Sequence, residues 1–257
     1  MADDYLRLVE GWNDPYPEPV VEPIGENVFV VRDDLLQYGS KIRFLDYYVS
    51  TIKADELVYG SSPAYGYAKI SLGYLCKKYN KKAVIFEAAR KQLHPYQQRA
   101  VDLGVDLRMV PMGFLAVTEA RAREYSSNRN RILLPMGLEH DTAFGSILKV
   151  CHYLPNVQNL KHIWVASSSG TIARGLKLAF PKAEVHCVSV GHSMSDRELG
   201  NNTLHLSPYK FSQEIKKKEA PPYPSASNYD AKVWPVLQAY LKENSSNDKH
   251  LVWNVGS

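Results

Sequence analysis

The chain has 257 residues, of which 45% are hydrophobic and 23% are charged, a composition that allows a large core in one domain or in two closely joined lobes. Its 31 basic and 27 acidic residues give a net charge of +4, which is too small to indicate nucleic-acid binding by itself. No segment approaches the roughly 18 apolar residues of a membrane span, and the acidic N-terminus lacks a signal-peptide core, so we expect a cytoplasmic protein.

Residues 1 to 25 are rich in proline and polar side chains, which predicts an extended arm lying over the surface. A short strand is predicted at 28–31, followed by an acidic turn. Apolar residues then recur at three- and four-residue spacing from Ile42 to Ile52, which indicates a helix. We predict that Gly39 and Ser40 form a tight turn before this helix and that Ser40 is its N-cap.

From residue 56 to residue 190, short β-branched runs alternate with amphipathic segments. The predicted strands are 56–59, 82–86, 107–110, 132–134, 162–166 and 184–190. The predicted helices are 65–79, 95–103, 117–125, 141–154 and 172–180. An irregular segment at 208–228, a helix at 229–242 and a strand at 251–253 follow. The alternation indicates βαβ units and a parallel sheet, so the predicted fold class is α/β.

Three cysteines, Cys76, Cys151 and Cys187, lie far apart in apolar surroundings. Their odd number and the absence of a CxxC motif argue against a disulfide framework or a zinc site. We predict buried thiols in a reducing compartment, and no metal site.

The first candidate functional residue is Lys41, in the first turn of the helix that follows Ser40. A helix N-terminus carries positive partial charge, so a lysine there should lose its proton more readily than usual. A neutral amine is what a lysine needs to form a Schiff base. The alternative is a solvated lysine that happens to follow a turn.

The second candidate is the run Ser167-Ser168-Ser169-Gly170-Thr171, between a predicted strand and a predicted helix. Ligands of open α/β sheets bind at the carboxyl ends of strands, and small residues at a helix N-terminus offer N–H and hydroxyl donors to an anion. The run is neither a Walker loop nor a dinucleotide fingerprint, so a single phosphate group suits it better than a nucleotide. The alternative is a serine-rich turn that only caps its helix.

Pyridoxal 5′-phosphate is a ligand that needs both a Schiff-base lysine and a phosphate cradle. The residues Arg32-Asp33-Asp34-Leu35 and Gly39-Ser40-Lys41-Ile42-Arg43 resemble the segment around the cofactor lysine in tryptophan-synthase-β-like (fold type II) enzymes. The nearest branch is that of 1-aminocyclopropane-1-carboxylate deaminase and D-cysteine desulfhydrase. The serine-rich run resembles the family's phosphate loop. The similarity covers roughly residues 28 to 190 and, more loosely, the C-terminus.

This resemblance implies two α/β lobes, each with a mostly parallel sheet flanked by helices, and a cofactor cleft between them. The smaller lobe would span 44–145, and the larger lobe 1–43 plus 146–257. The resemblance also implies that Lys41 forms the Schiff base and later moves the α-proton, and that residues 167 to 171 hold the phosphate. Ser257 would meet the pyridine nitrogen and Tyr223 would lie in the substrate site. The family is often dimeric, so a homodimer is an open expectation.

The sequence departs from the family pattern in the loop that would bind the substrate carboxylate. Ser62 lies in this loop, but Ala64 and Tyr65 stand where family members have a serine and an asparagine. Pro63 also removes one backbone donor from the loop. Tyr65 could bind beside the cofactor by hydrogen bonding or stacking, although it is much larger than asparagine. The departure puts an ordinary deaminase reaction on a free amino acid in question.

Three hypotheses follow. The first is a pyridoxal-phosphate enzyme of amino-acid metabolism, a lyase or deaminase that acts on an amino acid or amine by elimination, deamination or α-proton chemistry. The second is an enzyme with the same cofactor that modifies an amino group on a nucleotide or nucleic acid. The third is a non-catalytic binding module that retains the fold, against which the retention of Lys41 argues.

Overall fold

The computed structural model describes residues 2–111, 113–127, 130–155, 157–244 and 246–256. In chain order its strands are β1 (Val21–Pro23), β2 (Val28–Arg32), β3 (Glu56–Tyr59), β4 (Lys82–Ala88), β5 (Asp106–Val110), β6 (Arg131–Leu133), β7 (Leu160–Ser167), β8 (Glu184–Ser189), β9 (Thr203–Leu206) and β10 (Lys249–Asn254). Its helices are α1 (Ala2–Leu8), α2 (Lys41–Thr51), α3 (Ala68–Lys78), α4 (Pro95–Asp102), α5 (Leu115–Tyr125), α6 (Asp141–His152), α7 (Thr171–Ala179), α8 (Asp196–Leu199) and α9 (Val233–Glu243).

The strands form two sheets, which confirms the predicted two-lobed α/β fold. The order in the larger sheet is β1-β2-β10-β7-β8-β9, and its pairs are parallel except for the antiparallel pair of β1 and β2. The smaller sheet has the order β5-β4-β3-β6 and is parallel throughout. The strands of each sheet fall within one predicted lobe, while the boundaries near 44 and 145 stay a prediction, and α6 continues across the second of them.

Apolar packing covers both faces of the larger sheet. In β7 the run Ile163-Trp164-Val165-Ala166 is at most 4% exposed. Its alternate residues belong to two cores, one packed under α6 and α7 and the other under α9. A strand covered on both faces reads as a continuous apolar run, which is why this strand was predictable from the sequence.

The prediction for the N-terminal segment was wrong in part. Residues 2 to 8 form helix α1, and Val21–Pro23 pairs with β2 as an edge strand. A Cβ atom at Gly145 of α6 would lie 2.4 Å from the backbone oxygen of Tyr5, so glycine is needed for α1 to pack this closely. Helix α8 and strand β9 were also not predicted.

The three cysteines are buried free thiols, as predicted. Of the helices in the described ranges, none is long and apolar enough to cross a lipid bilayer.

Candidate functional site

A cavity of about 320 Å³ lies between the lobes at the carboxyl ends of strands from both sheets. Strand β3 ends at Tyr59, and β7 ends at Ser167, immediately before residues of the cavity wall. Such a position is where α/β proteins usually bind ligands. The lining residues are Lys41, Tyr59, Ser61, Pro63, Gly66, Tyr67, Ala68, Ser71, Leu115, Met136, Gly137, Ser168, Ser169, Gly191, His192, Phe211, Tyr229 and Val255.

The backbone before Lys41 is tied to the segment that follows β10. Gly39 has φ +74°, and a Cβ atom there would lie 2.8 Å from Tyr67 Cε1, so the turn requires glycine. The Ser40 N–H donates to the Val255 oxygen at 3.0 Å, and Trp253 Nε1 donates to Ser40 Oγ at 3.2 Å. Ser40 occupies the N-cap position of α2, as predicted, but its backbone is helical and its side chain makes no capping bond. Its hydroxyl contacts β10 instead.

The Lys41 amine differs from the two fully buried lysines in having no polar partner. Among the described residues, no group forms a hydrogen bond or ion pair with Lys41 Nζ, whereas Lys69 Nζ donates to three carbonyls and Lys232 Nζ donates to two. Burial lowers the pKa of Lys41 to about 8, and the nearby Asp230 opposes this shift. A lowered pKa was predicted from the helix N-terminus, but burial is its main cause.

The serine turn presents hydroxyl groups to the same cavity. Ser168 and Ser169 line it, Gly170 has φ +68°, and α7 begins at Thr171. A Cβ atom at Gly137 would lie 1.9 Å from Ser169 Oγ and 2.7 Å from Thr171 Oγ1, so glycine leaves space around these hydroxyls. The first N–H groups of a helix have no partner within the helix, and together with the hydroxyls they form a site suited to an anion.

Asp230 is a candidate site residue that the sequence analysis missed. It is 4% exposed, and burial raises the pKa of its carboxyl to about 7, against the lowering effect of Lys41 and of the Val255 and Gly256 N–H groups. Its Oδ1 has no hydrogen-bond partner in the part of the chain that the structure describes. In the sequence it looks like an ordinary acidic residue near a helix start. Its contact with the C-terminal segment forms only in the folded protein, so no local pattern indicates it.

His192 also lines the cavity and was not singled out in the sequence. Its Nε2 lies 2.9 Å from Glu198 Oε1, and its Nδ1 lies 3.4 Å from Ser168 Oγ. The carboxylate therefore orients the ring toward the serine turn.

The loop between β3 and α3, predicted to start a helix at residue 65, is irregular up to Tyr67. Lys69 Nζ donates to the backbone oxygens of Pro63 (2.6 Å), Ala64 (3.1 Å) and Gly66 (3.0 Å), and it lies 2.9 Å from Glu87 Oε1. Pro63 and Gly66 reach the cavity wall, whereas the side chain of Ala64 does not. The buried ammonium group of Lys69 thus fixes the backbone of the loop that faces the cavity.

Ser62, Tyr65 and Tyr223, three further predicted site residues, are not in the described wall of the cavity. Ser62 Oγ donates to Glu87 Oε1 at 2.6 Å. Tyr65 packs edge-on against His94, and its hydroxyl accepts a hydrogen bond from Arg90 at 3.2 Å. Tyr223 is buried, and its hydroxyl has no partner in the described ranges. Ser257 lies outside the described residues. The structure thus brings Lys41 together with Ser168 and Ser169, but it does not bring these three to the same surface.

No protein-family model and no curated protein matches this chain. Solved structures do: an ACC deaminase homologue has a TM-score of 0.84 and 15% identity over 100% of this chain and 95% of its own. Processed threonine deaminase isoform 2 from Solanum lycopersicum has a TM-score of 0.74 and 13% identity over 99% and 84%. Diaminopropionate ammonia lyase from Escherichia coli has a TM-score of 0.72 and 10% identity over 100% and 87%. The chain therefore has the fold of the fold type II enzymes, as the sequence resemblance implied.

Proposed function

We propose that this protein is a pyridoxal-phosphate-dependent enzyme that acts on an amino acid or another amine, and that Lys41 carries the cofactor. The observation that carries this proposal is the amine of Lys41, which faces the cavity without a polar partner among the described residues and has a pKa lowered to about 8. A lysine of this kind has a substantial neutral fraction near pH 8 and is suited to attack a carbonyl.

Residues of the wall fit the cofactor at two points, and Asp230, which lies outside the described wall, would supply a third. Lys41 Nζ would bind its aldehyde carbon, and the hydroxyls of Ser168 and Ser169, with the N-terminus of α7, would bind its phosphate. Asp230 Oδ1, a buried carboxyl oxygen without a partner in the described ranges, would accept a hydrogen bond from the ring nitrogen. We propose Asp230 for this role, as the alternative to Ser257, which the sequence resemblance implied.

When bound, pyridoxal phosphate supplies an electron-withdrawing ring that makes the carbon next to a substrate amine more acidic. Lys41 Nζ, with its pKa near 8, is matched to accept a proton from that carbon and return it near neutral pH. Tyr59 and Tyr229 line the same space, and their hydroxyls stay protonated because burial raises both pKa values. They are available as hydrogen-bond donors to a substrate or leaving group.

The charges of the wall limit how a substrate could bind. Apart from Lys41, the described wall contains no lysine or arginine that could bind a carboxylate, and Pro63 has no N–H group. The structural neighbours are named as deaminases, an ammonia lyase and racemases. These names support elimination, deamination or α-proton chemistry on an amine. If the substrate carries a carboxylate, neutral hydrogen-bond donors of the wall would have to bind it. Modification of nucleic acid stays a sequence-based prediction, tested by salt-dependent retention on DNA.

Covalent labelling tests the assignment of Lys41. We expect the protein mixed with pyridoxal phosphate to develop a visible absorption band, and borohydride reduction followed by peptide mapping to place the label on Lys41. Lys232 is the internal comparison, because burial also lowers its pKa to about 8 while its amine is bound to two carbonyls. The Lys41→Ala variant should lose the band, and Lys232→Arg should keep it. Label on Lys232, or a band in Lys41→Ala, would contradict the assignment.

The phosphate site is tested by adding one methyl group. We expect Gly137→Ala to raise the dissociation constant of pyridoxal phosphate at least about tenfold, a loss of roughly 1.4 kcal/mol, because the new Cβ would overlap Ser169 Oγ. Gly25→Ala is the control, since a Cβ there meets no atom within 4 Å. Equal affinities of the two variants, measured by absorbance titration, would exclude this position of the phosphate.

A further inference from the structure

A cluster of histidines lies in the larger sheet, away from the cavity. His162 on β7, His186 on β8, His205 on β9 and His250 on β10 come from neighbouring strands. The rings follow one another closely: His162 Nδ1 lies 3.0 Å from His186 Nε2, and His186 Nδ1 lies 2.9 Å from His205 Nε2. The ring of His250 stacks on that of His162 with 4.5 Å between centroids. Neither the fold nor the proposed cofactor requires such a cluster.

A carboxylate completes a three-atom site within this cluster. Glu184 Oε2 lies 3.7 Å from His162 Nδ1 and 3.8 Å from His186 Nε2. A tetrahedral Zn²⁺ ion with ligands about 2.1 Å away separates its ligand atoms by roughly 3.4 Å. The three separations between ligand atoms here, 3.0, 3.7 and 3.8 Å, lie on either side of this value. We propose that His162 Nδ1, His186 Nε2 and Glu184 Oε2 bind a divalent transition-metal ion, for which Zn²⁺ is the natural candidate.

The surrounding hydrogen bonds suit metal binding. With the ion on His186 Nε2, its Nδ1 carries the proton and donates to His205 Nε2. With the ion on His162 Nδ1, its Nε2–H points toward Asp248 Oδ2 at 3.7 Å. Thr203 Oγ1 donates to Glu184 Oε1 at 2.6 Å, which leaves Oε2 free for the ion. Partners of this kind fix the tautomers and orientations of metal ligands.

The donor set also selects the metal. Two imidazoles and one carboxylate suit Zn²⁺ and its neighbours in the transition series, whereas Mg²⁺ and Ca²⁺ prefer oxygen ligands. The Glu184 side chain is 46% exposed, so water can reach the fourth position of the ion. The sequence shows no zinc motif because the ligands come from two strands that the fold brings side by side.

The site is separate from the proposed active site. His162 lies near the amino end of β7, five residues before Ser167, and strands rise by about 3.3 Å per residue, which places the two sites roughly 17 Å apart along the strand. The ion would cross-link β7 and β8 at that end of the sheet. Its expected effect is to stabilise the larger lobe, not to take part in chemistry at Lys41.

Metal competition with a chromophoric zinc indicator tests the site in the full-length, chelator-treated protein without pyridoxal phosphate. We expect one Zn²⁺ per chain. His162→Gln and Glu184→Gln should each raise the dissociation constant at least about tenfold. His152→Gln, which changes an exposed histidine on α6, should leave it unchanged.

A second measurement separates ligand loss from misfolding. Co²⁺ added to the wild-type protein should give the intense visible spectrum of tetrahedral coordination, and Glu184→Gln should lose it while keeping the wild-type circular dichroism spectrum. Failure of the wild-type protein to bind Zn²⁺ would overturn the proposal and leave a buried histidine hydrogen-bond network. Unchanged binding in the His162→Gln/Glu184→Gln double variant would also overturn it, because the ion would then be bound elsewhere.

Discussion

Replacement of Lys69 by methionine is expected to lower the free energy of unfolding by about 3–5 kcal/mol, because it leaves a buried carboxylate without its cation. Both members of the pair are inaccessible, with 0% of the Lys69 side chain and 1% of the Glu87 side chain exposed. The same change removes the donor to three backbone oxygens of the loop that faces the cavity. We therefore expect weaker binding of pyridoxal phosphate as well, measured by absorbance titration beside urea unfolding.

Two further variants separate the charge from the loss of hydrogen bonds. In Lys69→Met/Glu87→Gln no charge is left unpaired, so the double variant should be more stable than Lys69→Met, which a double-mutant cycle measures directly. Lys91→Met changes an exposed lysine and should stay within about 0.5 kcal/mol of the wild type. A cost below about 1 kcal/mol for Lys69→Met would show that water reaches the pair.

Local sequence patterns were sufficient to predict most of the strands and helices. Between residues 56 and 190 the predicted strands and helices match the observed ones apart from their ends, because each buried strand is a short apolar run between helices. Helix α1 escaped prediction because it is only seven residues long and none of those residues is buried. Its position depends on a close approach to Gly145, which no local pattern encodes. Strand β9 is half exposed, so its apolar signal is weak.

The residues of the candidate site also fall into two groups, those that local sequence patterns indicated and those that they did not. Lys41 and the serine turn were predictable because each lies in a contiguous motif at a helix N-terminus. Asp230 and the Lys69–Glu87 pair were not, since a charged residue in a sequence gives no sign that folding will bury it. Their positions depend on contacts between segments far apart in the chain, such as that of Asp230 with the residues after β10.

The largest pH-dependent effect is expected from Asp230→Asn. The carboxyl of Asp230 has an ordinary pKa of 3.8 when the chain is unfolded, and burial raises it to about 7 in the folded protein. Between these pH values the folded state binds more protons than the unfolded state, so the free energy of unfolding falls as the pH rises. A shift of about three pKa units corresponds to roughly 4 kcal/mol. Relative to the wild type, Asp230→Asn should gain up to this amount between pH 4 and pH 7.

Urea unfolding of the cofactor-free wild type and variant across this pH range measures the gain, with the exposed Glu243→Gln as the control that should show none. Lys41 acts in the opposite direction at higher pH: its pKa is lowered from 10.5 to about 8, so stability should rise between these values in both proteins. A difference between wild type and Asp230→Asn that does not change with pH would mean that the carboxyl is hydrated. This result would exclude Asp230 as the hydrogen-bond partner of the ring nitrogen and would favour a neutral partner such as Ser257.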